Sequence, residues 1–366
     1  MGEKMEKVRN NGIDLLRILA MCGIIGLHVL NNGGVLANLS YKSCNYYIVL
    51  LFTCLCYTSV NIFGIITGWL YSDRKKLNNS RIIELWTIVL FYCFVIPSIF
   101  YIFNLYDVRK LGIKEMIKNY FPVLDGRYWY IVCYTFVFFL IPYINIFINS
   151  LNKEKYIKFL IIVFILLSLL PNVFFLVDFF KTDNGYSPFW LIYLYMIGAY
   201  IKKYININEI KKVNVKIIVS LLGAFILNLL VKIVTNKIFG HTVNEEWFIN
   251  YISPFIISAS IYIVIKFISL NMKEYKTIKF LSSFAFAVYI IHSQILIFKY
   301  VLGNQFAFLN YKSGLIIVGC VIFIIISIYI ICMLIDIFRK WIFNILKIDK
   351  IINWIGNKID KFYIEN

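Results

Sequence analysis

Apolar runs long enough to cross a bilayer recur from one end of this sequence to the other. A spanning helix needs about 20 predominantly apolar residues. Backbone groups inside hydrocarbon must be satisfied within the segment, which leaves helices or closed barrels. The runs here are continuous rather than alternating, so helices are the expected solution. Ten are legible, at about 12–30, 46–71, 82–104, 128–149, 156–177, 187–205, 214–234, 247–270, 280–302 and 313–338. The expected fold class is all-α, a polytopic membrane protein with ten transmembrane helices. Composition agrees: 61% of the residues are hydrophobic and 15% charged, against about 25% charged in a soluble domain. The chain therefore reads as one integral-membrane unit over 1–366, with spans over about 12–338 and an amphipathic tail over 339–366.

The basic residues orient this unit. Lys4, Lys7 and Arg9 precede the first run, and Arg74, Lys75, Lys76 and Arg81 follow the second. Further clusters follow the fourth, sixth and eighth runs and fill the tail, and they outnumber the basic residues of the opposite loops. By the positive-inside rule both termini are expected in the cytoplasm and the loop 105–127 outside. The tail sets Trp341, Ile342, Ile345, Leu346, Ile351, Ile352 and Trp354 among basic residues, the pattern of a helix lying on the membrane surface. The net charge of +18 does not point to nucleic acid, because it is dispersed in short loops. Of eight cysteines only Cys44 falls in a loop, so neither a disulfide framework nor a metal site is expected. The first run has Arg17 in its middle and no small-residue cleavage pattern after it, so it is expected to stay as a span.

Two residues in that first run carry chemistry. Arg17 and His28 are eleven positions apart, about three helical turns, so they share a face within roughly 20° and lie about 16 Å apart along the axis. Asp14 falls near the same stripe. An arginine at mid-membrane costs at least ~2.5–3.5 kcal/mol on insertion scales, which favours a role. An imidazole kept neutral can act as a general base, and a guanidinium suits phosphate. The stripe reads as a channel open to the cytosol at Arg17 and reactive at His28. The bland alternatives are snorkelling of Arg17 to the interface and an interhelical hydrogen bond from His28.

Three further groups stand out. His292 is a second intramembrane histidine, either sharing a cavity with His28 or hydrogen-bonded in the bundle. Asp125, Arg127, Trp129 and Tyr130, in Asp125-Gly126-Arg127-Tyr128-Trp129-Tyr130, sit at the outer entrance of the fourth run. Aromatics belong at such an interface, and the same residue types stack on sugar rings while Asp and Arg bond hydroxyls. Lys76 and Arg81 could attract an anionic cofactor or serve only as orientation signals. His241, near Glu245 and Glu246, reads as a solvated loop residue. No glycine-rich phosphate loop, GxSxG or HExxH occurs, so nucleotide hydrolysis, serine hydrolysis and zinc proteolysis lack support.

The segment Asn11-Gly12-Ile13-Asp14-Leu15-Leu16-Arg17 through His28, followed by Gly33-Gly34, resembles the opening of the acyltransferase-3 family of bacterial membrane acyltransferases, whose first helix carries an Arg-x10-His motif. Gly126-Arg127-Tyr128-Trp129-Tyr130 with Tyr134, Pro142 and Asn145 resembles its aromatic fourth span. Gly185-Tyr186-Ser187, Trp190-Leu191 and Ile197-Gly198-Ala199-Tyr200 resemble its sixth, and Tyr289 to His292 its late tyrosine–histidine pattern. The resemblance implies transfer of an acyl group, usually acetyl from cytosolic acetyl-CoA, to a carbohydrate hydroxyl at the outer face of the bacterial cell membrane. On this reading His28 is catalytic. Arg17, Arg81 and Lys76 bind the acyl-CoA, and Asp14, Asp125, Arg127, Trp129, Tyr130 and His292 bind substrate. No metal takes part. The expected partners are the bilayer and a carbohydrate acceptor, with a polysaccharide-biosynthesis complex as a further candidate. Family members often carry a second basic residue after the arginine that starts span 3, where this chain has Glu84. Some also have a fused extracytoplasmic esterase-like domain. The sequence is read as ending at Asn366 without one, so direct transfer or a separate partner is expected. The rival readings are a non-enzymatic polysaccharide export protein of the same fold and a small-molecule transporter.

Overall fold

A computed structural model describes residues 10–40, 43–74, 77–173, 180–239, 247–270, 272–273 and 275–365. Lys76 and the His241–Glu246 segment lie outside them. The described residues form helices with no strand. In order these are α1 (Asn11–Leu30), α2 (Cys44–Tyr71), α3 (Asn79–Ile102), α4 (Gly112–Tyr120), α5 (Trp129–Ser150), α6 (Lys153–Phe164), α7 (Leu170–Val173), α8 (Pro188–Tyr204), α9 (Val213–Phe239), α10 (Pro254–Ile268), α11 (Lys276–Ser282), α12 (Ala285–His292), α13 (Gly314–Ile345) and α14 (Ile348–Glu365). The chain is a multi-pass helical membrane protein. Large apolar residues of α9 and α13, such as Ile218, Ile226, Phe323 and Leu334, are exposed, while Asn61, Ser260 and Gln294 are fully buried. That inversion of the soluble pattern suits a lipid solvent.

Each of the ten expected runs contains helix, but not all are straight spans. Seven helical segments are long and apolar enough to cross a membrane, and an eighth counts if a bent pair is one span. Helix α8 has 17 residues and α10 has 15. At 1.5 Å per residue they reach about 26 and 22 Å, short of a ~30 Å hydrocarbon core. The expected span 280–302 is broken: Lys276–His292 and Ile297–Tyr311 meet at 84°. Gln294, fully buried, holds the break by accepting from the Leu296 amide at 2.7 Å while donating to the Asn119 carbonyl at 3.2 Å. The last span also runs further than expected. Helix α13 continues to Ile345, so Arg339 and Lys340 belong to it and not to the tail. At 32 residues, about 48 Å, its ends project past the hydrocarbon.

Helix α2 is the hub and packs against α1, α8, α9, α10 and α13. Its contact with α8 depends on glycine. A Cβ on Gly68 would lie 1.9 Å from the Tyr195 carbonyl oxygen, and one on Gly198 would lie 2.0 Å from that of Ile65. Small residues let helix backbones approach this closely where lipid offers no hydrophobic drive. Helix α1 is held at both ends. Asn10 caps it by accepting from the Ile13 amide and also donates to the Ile268 carbonyl. After Leu30 the chain turns through Gly34, at φ +83°. There Asn32 donates to the Phe298 carbonyl at 2.6 Å, and the Phe306 amide donates to the Gly33 carbonyl at 2.9 Å. The α1 turn is thereby tied to the broken segment. The tail is helical, as its pattern suggests. Helix α14 packs on α3, where Asn79 donates to Asp360 at 2.6 Å, and it leaves Ile351 and Trp354 exposed.

Candidate active site

One cavity of about 840 Å³ reaches through the bundle. At one end it is lined by Arg17, Arg81, Glu84, Asp336, Arg339 and Lys340; at the other by His28, Asn32, Arg127, Trp129, Tyr186 and Tyr251. Between them the wall is apolar, with Met21, Ile24, Leu27, Ile88 and Ile131. Arg17 and His28 thus open onto a common space, as their spacing on α1 requires.

At the far end the His28 ring faces two others. Its centroid is 5.0 Å from that of His292 and 5.1 Å from that of Phe298, which meets it edge-on. The Nδ1 of His28 is buried without a hydrogen-bond partner, a cost of about 1–3 kcal/mol for a buried polar group. His292 lies behind it, 1% exposed. The His292 Nδ1 sits 2.5 Å from the Val288 carbonyl. A carbonyl can only accept, so Nδ1 carries a proton, and Ser293 Oγ lies 3.5 Å from Nε2.

The break at Gln294 explains how the aromatic segment reaches this pair. In a continuous helix the Ile290 carbonyl would accept from the Gln294 amide, but that amide turns to Ile291. The Tyr128 hydroxyl donates to the Ile290 carbonyl instead, at 2.7 Å. Tyr128 does so from a left-handed backbone conformation, φ 55° and ψ 32°, a region that costs a non-glycine residue about 1–3 kcal/mol. Trp129 then starts α5 and faces Tyr186, with ring centroids 4.7 Å apart, and Tyr186 faces Tyr251 at 5.1 Å. Tyr251 is brought in by neighbouring backbone contacts. Asn61 donates to the Tyr251 carbonyl at 2.8 Å, and Ser168 donates to that of Ile252 at 2.6 Å. Asn61 in turn accepts from the indole of buried Trp190 at 3.0 Å.

The opposite mouth is cationic but partly compensated. Arg17 donates to Asp14 at 3.1 Å and Arg81 to Glu84 at 2.8 Å. Arg339 holds Asp336 with two bonds, at 2.5 and 3.0 Å, and Tyr92 donates to the same carboxylate at 2.8 Å. Glu84 is thus the ion-pair partner of Arg81. Tyr134 lies within electrostatic range of both Arg17 and Arg81.

Of the residues singled out from the sequence, Arg17, His28, Arg81, Arg127, Trp129 and Tyr130 line the cavity, and His292 touches His28. Asp14 is buried against Arg17 and does not face the cavity. Asp125 does not line it either. It pairs with Lys118 at 3.1 Å and, with Glu115, raises the affinity of that ammonium for its proton. Each of these carboxylates is engaged by a neighbouring cation. Lys76 lies outside the described residues. Sequence reasoning missed Asp336, Arg339 and Lys340, and the tyrosine pair Tyr186 and Tyr251. Charges directly continuing the last apolar run were the available signal for the first three; nothing marked Tyr251.

The fold and site define an integral-membrane protein whose cavity joins an arginine-lined mouth to His28, with His292 against it. The chain belongs to the acyltransferase-3 family: the family model, described as an acyltransferase domain, matches residues 10–335. No curated protein and no solved structure matches it.

Proposed function

We propose that the protein is an O-acyltransferase of the bacterial cell membrane. On this reading it crosses the membrane ten times with both termini in the cytoplasm. It moves an acyl group, acetyl in the first instance, from cytosolic acyl-CoA to a hydroxyl of a surface polysaccharide or its lipid-linked precursor. The supporting observation is the cavity itself. It has arginine and lysine side chains at one end, an apolar sleeve in the middle, and an imidazole near a cluster of aromatic rings at the other. A phosphate-bearing thioester fits this order, because the orphaned nitrogen and the cations sit where its reactive and anionic parts would fall.

His28 takes the proton of the acceptor hydroxyl as that oxygen bonds to the thioester carbonyl carbon. The carbon–sulfur bond breaks, and His28 returns the proton to the departing thiolate, so the ring ends neutral. His292 backs the ring and limits its tilt. Arg17 and Arg81 hold the donor by its phosphates. Trp129, Tyr186 and Tyr251 hold a sugar ring by stacking, and Arg127 bonds its hydroxyls. Asp14 orients Arg17. Inverted membrane vesicles containing the protein, given radiolabelled acetyl-CoA, should pass label into the carbohydrate fraction. Label no higher than in vesicles without the protein would overturn the reading.

A further inference from the structure

Three helices each bring one i,i+3 ion pair to the cationic mouth: Asp14–Arg17 on α1, Arg81–Glu84 on α3 and Asp336–Arg339 on α13. Each pair is close to neutral at a distance. Lys340 is different. Its ammonium donates to Ser283 Oγ at 3.0 Å and lies 3.5 Å from the centre of the Phe284 ring. Among the described residues no carboxylate lies within ion-pair distance of it. The mouth therefore carries one positive charge beyond its pairs, and that charge sits on the cavity wall beside Ser282 and Ser283.

The placement is also rigid. Asp336 is fully buried and Arg339 is 5% exposed. Tyr92 of α3 and Arg339 together occupy the Asp336 carboxylate, and the Arg339 guanidinium lies over the Phe343 ring at 4.7 Å. This cluster fixes the end of α13 against α3, one residue before Lys340. A buried, fully bonded ion pair adds little net stability; here it holds the next residue at the cavity wall. An ammonium with three donors, one of them spent on a serine, is a point-charge ligand for phosphate.

We propose that Lys340, with Ser283 and the guanidinium groups of Arg17 and Arg81, forms the subsite for the phosphate groups of a nucleotide-bearing thioester. Asp336, Arg339 and Tyr92 position it. This rests on the acyl-CoA reading above and deepens it.

Purified full-length protein in detergent, with coenzyme A and phosphate-free pantetheine as probes, tests the assignment by equilibrium binding. Loss of one charge-assisted bond should weaken coenzyme A binding about tenfold in Lys340→Gln. Pantetheine binding should change far less, and Lys340→Arg should recover most of the loss. Glutamine keeps most of the stem and a donor for Ser283 while losing the charge over Phe284, so the variant should fold; Lys340→Ala is the second variant if it does not. Coenzyme A bound equally well by wild type and Lys340→Gln would overturn the subsite and leave the acyltransferase reading standing. Equal weakening for both probes would overturn it too, by showing a packing role. Wild-type protein that binds no coenzyme A would remove the acyl-CoA reading and the subsite together.

Discussion

Replacing Tyr128 with Phe should loosen the active site without opening a cavity. The substitution removes one oxygen from a side chain that is 4% exposed, and its backbone can keep the same left-handed conformation. What is lost is the donor to the Ile290 carbonyl. That carbonyl has no helical donor, because the Gln294 amide bonds Ile291 at the break. A buried acceptor left unsatisfied costs about 1–3 kcal/mol. If the cost falls on the segment Ile290–His292, the ratio of correctly placed to displaced imidazole pair falls about 5- to 150-fold. Acyl transfer should fall by up to that factor, and the thermal midpoint of the detergent-solubilised protein should drop with it. Affinity for coenzyme A should hold, since the cationic mouth is at the other end of the cavity. Tyr128→Phe protein with wild-type turnover and wild-type thermal stability would refute the reasoning, because it would mean that the bond does not hold the break in place.

Two further outcomes follow from the geometry. Arg17→Ala should weaken acetyl-CoA binding, and Arg17→Lys should restore it only in part, because an ammonium cannot reproduce the guanidinium fork; titration of the purified variants checks both. A cysteine at Lys118, in a background lacking the exposed Cys44, should react with an impermeant maleimide only from outside the cell, and labelling from the cytosolic side alone would reverse the orientation.

Much of this arrangement was legible in the residues, and the parts that were not share a cause. Helix α1 was readable because Arg17 and His28 are costly in an apolar run and their spacing puts them on one face. The ten runs were readable as helix because they are long and continuously apolar. Periodicity does not report where a helix breaks or how long it is. The break after His292 depends on Gln294 bonding both the next turn and the Asn119 carbonyl, a contact across 175 positions. The shortness of α10 depends on a preceding segment, Trp247–Ser253, that is held by Asn61, Ser168 and Asn172 from other helices. The end of α13 was misplaced because Arg339 looks like the start of a basic tail, whereas Asp336 and Tyr92 bury it. The pairing of Asp125 with Lys118, seven residues away, is likewise a product of the loop's conformation and not of periodicity. Tyr186 and Tyr251 come together only through tertiary structure; Tyr186 was legible only within the Gly185-Tyr186-Ser187 resemblance, and in a chain with 18% aromatic residues nothing marked Tyr251.

The central claim is that His28 is a base and not merely a packing residue, and His28→Gln tests it most directly. Glutamine keeps a hydrogen-bonding side chain of similar reach but cannot take a proton from a hydroxyl. General-base catalysis typically contributes about 10²–10⁴-fold, so acyl transfer by His28→Gln, at matched protein level in membrane vesicles, should fall by that factor. Coenzyme A binding should survive, because Arg17 lies about 16 Å away along the helix. Near-wild-type transfer of acetyl to the carbohydrate fraction by the His28→Gln protein would contradict the account.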